Sequence, residues 1–596
     1  MIAYWLEKRW VQYTCLAAIL AAMGVYWGFF FDFGYTFDWS ILFEVNPTYK
    51  QHFGLTLLHG LLLTIKISLI SSGIALALGT IFGLGRLTAF APMRWLSTVY
   101  VEFFRNTPLL IQLFFWYFAF PMGLPEAART YVFGLNYEFW CATLGLSMYT
   151  GSFMAEVIRA GLQSIPKGLL ESAYSSGLSY LQVLRTIILP LAFRTIIPPL
   201  GSEFLNNMKN SSLAMVVGVA ELTWSSQQVE SLTFRGFEAT TGATVLYLGL
   251  SLIISGFLNL INVKLKIEQS QKDSWSLRLA NLLFSPLILL RTGTSLALRG
   301  IYARRTRRSA SLTRSRMQAA AVLAGRWLKY LGILTIKALF LLAILSILVK
   351  LVQGLAGFNY TVIWDNLGTL LIWRFPNGSD NELFWGLGGL AYSILMAVIA
   401  ISVSFFIGLA VGLGRASSNQ LFRLPSLVYI EVIRGNPLII VIFWVYFFIP
   451  ILTGAFFDVF WSATIALTIF TGAYLAEIVR SGVQNIPPGQ VEAAYSTGMS
   501  YFQTMRKIIL PQALKQMIPA IVGQFIAIFK DTSLAFVIGV LELTFVAQGL
   551  NNRLMVYPFE IYTTVAFLYF ICCYAMSQYA RRLEARLSPE KQSLVM

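Results

Sequence analysis

Four ionisable side chains stand inside otherwise apolar runs of this chain: Glu203, Lys209, Lys530 and Asp531. A charge in such a run is costly, which makes it a functional candidate by default. Lysines can hold an anionic group and carboxylates an ammonium group through charge-assisted hydrogen bonds. The four belong to matched sets. Glu203 and Asn210 stand where the second half has Gln524 and Asp531, and Lys209 matches Lys530. One site between two unequal halves could draw on all four. The alternative is structural: Lys530 and Asp531 could stabilise a helix irregularity and touch no solute.

Other charges read as local ion pairs. Glu102–Arg105, Glu431–Arg434, Glu156–Arg159 and Glu477–Arg480 all have a three-residue spacing, which lets a pair form on one helix face. Lys66 has Leu395 as its counterpart and could snorkel outward. The only histidines are His52 and His59, so no metal site is expected. Cys15, Cys141, Cys572 and Cys573 all fall in apolar runs and form no disulfide framework. The aromatics, 15% of the chain, read as lipid-facing belts.

The matching rests on an internal duplication. Residues 150–190 and 471–511 are identical at 23 of 41 positions, at an offset of 321. GTIFGLGR (79–86) aligns with GLAVGLGR (408–415), and VEFFRNTPLL (101–110) with IEVIRGNPLI (430–439), both at offset 329. KNSSLAMVVGVAELT (209–223) aligns with KDTSLAFVIGVLELT (530–544) at offset 321.

Composition sets the class. Of 596 residues 57% are hydrophobic and 12% charged, with a mean hydropathy of +0.68. Soluble proteins carry about 25% charged residues. Apolar runs near 12–31, 55–85, 97–120, 139–158, 193–218 and 241–262 predict six spans. Runs near 331–352, 386–414, 425–450, 459–480, 514–540 and 560–580 predict six more. The expectation is an all-α polytopic membrane protein of about 12 transmembrane helices, built as two parallel repeats of six. Lys and Arg favour the cytoplasmic side, which places both the N- and C-termini there. Two like-oriented repeats imply a pseudo-twofold axis along the membrane normal.

The expected division is a first membrane half over 1–262, a basic linker over 263–330 and a second half over 331–596. The net charge is +17, and residues 264–330 hold 14 Lys/Arg against Glu268 and Asp273. That reads as a cytoplasmic linker held against anionic lipid, not as a nucleic-acid site. NLLFSPLILL (281–290) is too short to span and reads as interfacial. No cleavable signal pattern is present, so the first apolar run reads as a retained span.

Between the fourth and fifth runs of each half lies a mostly polar module. Pro166 suits the first turn of a helix, GLLESAYS continues it, and Gly177 sits where a left-handed cap would end it. SYLQVLRTIIL then resumes a helix, followed by Pro190. Pro487, Glu492, Ala493, Gly498 and Pro511 repeat the pattern. The expectation is a helix–turn–helix standing off the membrane.

Glu492-Ala493-Ala494 with Gly498, and Glu171-Ser172-Ala173 with Gly177, resemble the E-A-A-x-x-x-G coupling loop of binding-protein-dependent ABC import permeases. The first copy departs at Ser172. The stretches 156–161, 163–168, Arg105-Asn106-Thr107-Pro108 and Lys530-Asp531-Thr532-Ser533-Leu534-Ala535 look like the polar amino acid subfamily, which carries histidine, glutamine, glutamate and arginine. The likeness covers roughly 50–262 and 385–580. It implies two permease halves fused in one chain of a bacterial inner membrane. Its coupling residues would be Glu171, Ala173, Gly177, Glu492, Ala493 and Gly498. It implies two ATP-binding cassette subunits docked on the loops and an extracytoplasmic amino acid-binding protein. Glu203, Lys209, Lys530 and Asp531 would meet the zwitterionic amino acid on its path.

The chain contains no Gly-Lys dipeptide, so a phosphate-binding Walker loop is absent. No cofactor is expected in this chain; ATP–Mg would sit in the partner subunit. A secondary transporter also has six plus six spans, yet does not need the duplicated polar modules. A membrane enzyme would be expected to cluster His, Asp or Glu. An importer for another small solute also remains open.

Overall fold

The computed structural model describes residues 9–29, 34–45, 50–265, 316–374, 387–455 and 457–587. Most of the linker, including 281–290, lies outside them. The described chain is helical apart from one small antiparallel pair, Trp373–Arg374 with Leu387–Gly388.

Among the described residues eight helices are long and apolar enough to cross a membrane. They are Phe53–Gly85, Tyr180–Val217, Gly236–Asn262, Trp327–Ala356, Gly389–Ala416, Val459–Gln484, Tyr501–Ile538 and Pro558–Arg586. The runs expected at 97–120 and 425–450 are not straight spans. The first breaks into Ala91–Asn106 and Leu109–Phe114. The second breaks into Gln420–Gly435 and Leu438–Thr453, bent by 113°. Proline is the cause. Thr107 and Asn436 precede Pro108 and Pro437 and are driven to extended backbone, φ −112°, ψ 145° and φ −104°, ψ 155°. Counting the bent second-half pair gives nine spans. Arg9–Phe29, the broken first-half segment and Tyr137–Gln163 fill the other three expected runs as helices outside that set.

Inside each half two long helices meet on glycines. Gly79 and Gly83 face Tyr137–Gln163; an added Cβ would lie 2.7 Å from Met154 Cβ and 2.7 Å from the Ala155 carbonyl oxygen. Gly408 and Gly412 repeat this, 2.4 Å from Leu475 Cβ and 2.6 Å from the Ala476 carbonyl oxygen. Small residues four apart let two helix backbones approach where no water drives association.

The halves are interlocked. The last helix of the second half reaches the broken segment of the first: Arg581 pairs with Glu102 at 3.1 Å, and Ser577 donates to Asn106 Oδ1 at 2.9 Å. The last helix of the first half answers with Ser251, which donates to the Gly435 carbonyl at 2.5 Å. The Arg9–Phe29 helix also crosses, where Gln12 Oε1 accepts from the Gln420 backbone at 2.9 Å.

Candidate translocation site and coupling modules

The four ionisable residues of the apolar runs meet in one place. Glu203, Lys209, Lys530 and Asp531 line a cavity of about 230 Å³ between the halves. An apolar cavity of about 150 Å³ takes one benzene, so this one has room for a single small solute. Its walls come in pairs, one from each half: Pro108 with Pro437, Tyr149 with Phe470, Phe153 with Tyr474, and Glu203 with Gln524.

The proline breaks make this cavity polar. They end Ala91–Asn106 and Gln420–Gly435 at its wall, and carbonyls in a last helical turn lack intrahelical partners. Lys530 Nζ donates to the Arg105 carbonyl at 3.0 Å, and Lys209 Nζ to the Arg434 carbonyl at 3.0 Å. Each bond crosses between halves, and each lysine is 8% exposed. A cation at a helix C-terminus is favourable. Part of the structural reading holds here, since Lys530 steadies a helix break, but in the opposite half. Lys209 makes a second, longer bond to the Tyr474 hydroxyl at 3.4 Å, and since an ammonium has three donors neither lysine is exhausted.

Two expected ion pairs do not form. Glu102 pairs with Arg581, and the Arg105 guanidinium lies 5.2 Å from the centre of the Phe153 ring. Arg434 lies 5.1 Å from the centre of the Tyr474 ring and 3.9 Å from Glu477, not against Glu431. Tertiary partners outweigh an i,i+3 pair of a few tenths of a kcal/mol (~0.2–0.5). The other two form: Arg159 Nε donates to Glu156 at 3.1 Å and Arg480 Nε to Glu477 at 2.8 Å. The Lys66 ammonium lies 5.3 Å from the centre of the Phe139 ring.

The cavity also corrects the reading of the aromatics as lipid belts. Tyr149, Phe153, Phe470 and Tyr474 face the cavity. Their signal lay in the duplication itself, which keeps an aromatic at both positions in both copies. Glu221 and Glu542 were passed over as well, although both lie in the duplicated 209–223 and 530–544 segments. Each is fully buried and caps a helix, accepting from the Trp224 or Phe545 backbone at 3.0 Å. Tyr247 donates to Glu221 at 2.6 Å and Tyr569 to Glu542 at 3.1 Å.

The polar modules fold alike. Lys167–Ser175 and Pro488–Ser496 are short helices. Gly177 and Gly498 end them with φ +78° and +79°. Leu178 then donates to the Ala173 carbonyl and Met499 to the Ala494 carbonyl, both at 3.2 Å, the closing bond of a Schellman turn. Ser179 with Gln182 and Ser500 with Gln503 form capping boxes for the next helix. Glu171 and Glu492 are exposed. Ala173 is buried and its structural equivalent is the buried Ala494; Ala493 is exposed and matches Ser172.

The second limb of each module does not stop at its proline. Tyr180–Val217 and Tyr501–Ile538 run on as single spans. A π-turn at Leu184–Ile188 and at Met505–Ile509 precedes each proline. In it Leu189 donates to the Leu184 carbonyl and Leu510 to the Met505 carbonyl, and the helix runs on past a proline that has no backbone donor of its own. Each module is thus continuous with the helix that carries Lys209 or Lys530.

The family of binding-protein-dependent transport system inner membrane components matches residues 51–267 and again 404–589. The chain belongs to this family and holds its domain twice, as a multi-pass inner membrane protein. It is 43% identical over 210 residues to the probable glutamine ABC transporter permease protein GlnP of Bacillus subtilis (strain 168), covering 35% of this chain and 96% of that protein. It is 35% identical over 240 residues to the inner membrane amino-acid ABC transporter permease protein YhdY of Escherichia coli (strain K12), covering 39% of this chain and 65% of that one. A crystal structure of an amino acid ABC transporter with histidines is 29% identical, covers 35% of this chain and 94% of its own, and superposes with a TM-score of 0.32.

Proposed function

We propose that the chain is the permease subunit of an ATP-driven, binding-protein-dependent importer of polar L-amino acids. Two halves, 1–262 and 331–596, are joined by the basic linker 263–330, with about 12 spans and both termini cytoplasmic. The observation that carries this is the inter-half cavity, which offers two lysines and two carboxylates to one small solute. A zwitterion needs both signs, a cation for its carboxylate and acceptors for its ammonium.

Energy enters through the modules. Two ATP-binding cassette subunits dock on Glu171, Ala173 and Gly177, and on Glu492, Ala493 and Gly498. ATP–Mg stays in those subunits. Their closure draws the modules together, and the helices continuous with them move Lys209 and Lys530. The halves then alternate between inward-open and outward-open states, and ligands shift the populations. An extracytoplasmic amino acid-binding protein delivers the substrate. The linker meets anionic lipid, and no nucleic acid takes part.

Purification of the tagged chain from its native membrane tests this. An ATPase at two copies per chain is expected to co-purify. Reconstituted, the complex should hydrolyse ATP faster when the binding protein and an L-amino acid are added. A chain that emerges folded and alone, where comparable complexes survive, would favour ion-driven uptake.

A further inference from the structure

The helix Phe53–Gly85 has two unlike ends. Beyond Gly85, Arg86 pairs with Glu156 on the helix that leads into the first module. At the other end the segment 34–45 folds over, and Phe53 donates to the Glu44 carbonyl at 2.9 Å. That segment lies outside both copies of the family domain. Its Phe37 and Asp38 recur at offset 321 as Phe358 and Asn359, also outside them. The two straps are held alike. Asp38 donates its backbone N–H to Glu238 at 2.9 Å, and Asn359 donates its own to Glu560 at 3.3 Å. The Phe37 ring lies 5.4 Å from that of Phe237, and the Phe358 ring 5.4 Å from that of Phe559. Phe237 and Phe559 in turn meet the opposite half, 5.7 Å from Phe448 and 5.5 Å from Phe115. Each strap thus backs a ring that bridges the seam, at the end of the molecule away from the modules.

The straps are not tied equally. At the first, Tyr35 donates to Glu238 at 2.5 Å and Arg235 donates to the Thr36 carbonyl at 2.5 Å. The Arg235 guanidinium also stands 3.9 Å from Glu238 and 5.5 Å from the centre of the Tyr35 ring. Glu238 is fully buried in this set. At the second, Ala356 stands in place of Tyr35 and Tyr557 in place of Arg235, at the offsets that match the straps and the glutamates. Glu560 is only partly buried. The added tie is a 3.4 Å bond from Asn359 Nδ2 to the Tyr557 hydroxyl, between two neutral groups. Hydrogen bonds with an ionised partner are about twice as strong as neutral ones, and burial strengthens them further.

We propose that the straps are latches of unequal strength: the one on Glu238 stays shut through the transport cycle, and the one on Glu560 lets go when the end away from the modules opens. This rests on the alternating-access reading above. For that end to open, a bridging ring must leave the opposite half, and the strap behind it must yield. The weaker tie yields first. The solute then enters beside Phe115 and Phe559, while Phe237 and Phe448 act as the hinge side.

The test uses the permease–ATPase complex in proteoliposomes with its binding protein. Radiolabelled L-glutamine, L-glutamate, L-arginine and L-histidine are offered to the wild type, and the probe taken up fastest is kept. Two cysteine pairs with equal ring spacing are made, Phe37→Cys with Phe237→Cys and Phe358→Cys with Phe559→Cys. Each is closed with a short bis-methanethiosulfonate and reopened with dithiothreitol. Comparison with the single-cysteine parents cancels the native cysteines. Closing the first pair should change ATP-driven uptake by less than about twofold. Closing the second should lower it roughly tenfold or more, and dithiothreitol should restore it. If a cysteine pair does not assemble, the tie itself is moved: Ala356→Tyr with Tyr557→Arg gives the second strap the residues of the first and should slow uptake by roughly threefold or more. A wild-type rate in that variant counts against the inference. Equal loss on closing either pair, loss confined to the first, or no loss from either overturns it and leaves the transport reading standing. Wild-type complex that takes up none of the four probes overturns both.

Discussion

The two halves share one frame but hold their cores together by different means. In the first, Thr150 donates to Asn207 Oδ1 at 2.8 Å, and Asn207 Nδ2 donates to Ser71 and Ser72 at 2.7 and 2.8 Å. In the second the matching positions are Thr471, Ile528, Ala400 and Ile401, and packing replaces the network. Both solutions are complete. A buried polar set is tolerable when every member is satisfied and costly when one is missing, so the positions have to change together. Glu221 and Glu542 did not diverge, because both cap backbone donors that an apolar residue would leave bare.

Breaking what the halves share should do the most damage. Gly408→Leu puts a side chain where even a Cβ would stand 2.4 Å from Leu475 Cβ. Overpacking costs about 1–3 kcal/mol and sometimes more, and here backbone lies close behind. Little monodisperse protein should be recovered in mild detergent; a wild-type yield would refute the close-packing account.

Next comes a loss of transport with the fold kept. A Cβ at Gly177 or Gly498 meets nothing within 4 Å. Gly177→Asp with Gly498→Asp therefore adds charge and about 1–2 kcal/mol of left-handed strain at each position, but no clash. ATP-driven uptake should vanish while insertion persists. Normal uptake would defeat the coupling role, and the single substitutions would show whether both modules are needed.

A smaller effect should separate the cores. Ile528→Asn places an amide where the two serines that meet Asn207 in the first half are Ala400 and Ile401, leaving Thr471 as its one matched polar partner. It should cost about 1–3 kcal/mol and lower the melting temperature of the purified protein. Asn207→Leu should cost less, since hydrogen bonds between membrane helices average about 0.6 kcal/mol. An unchanged melting temperature for Ile528→Asn would mean the second core is wet or loosely packed. The smallest change is expected for Arg581→Ala, which removes the pair with Glu102. An ion pair as exposed as this is worth about 0–1 kcal/mol, and a shift of many degrees in the same melt would show that the pair locks the halves.

The duplication made much of this legible. Aligning the copies matched Lys209 with Lys530 and Glu203 with Gln524, and all four line the cavity. The Gly177 and Gly498 caps were readable because a left-handed turn needs little beyond a glycine and its own backbone. The breaks inside the runs at 97–120 and 425–450 were missed, although Pro108 and Pro437 were in plain view, because hydropathy counts apolar residues and ignores the restriction that a proline puts on the residue before it. The pairing of Arg105 with Glu102 failed for a related reason: spacing along a helix shows which partners are reachable, not which compete from other helices.

By itself the sequence determined the membrane setting, the twofold repeat, the polar modules and the residues at which the halves differ. These follow from local chemistry: apolar length, turn geometry and substitution between copies. Only the tertiary structure decided that Lys209 and Lys530 reach across to the opposite half, that Arg86 reaches Glu156 while Arg581 takes Glu102 from Arg105, and that four aromatics face inward. Such choices depend on distances between helices far apart in the chain. There a buried charge takes the partner that desolvation and geometry permit, whatever lies three residues away.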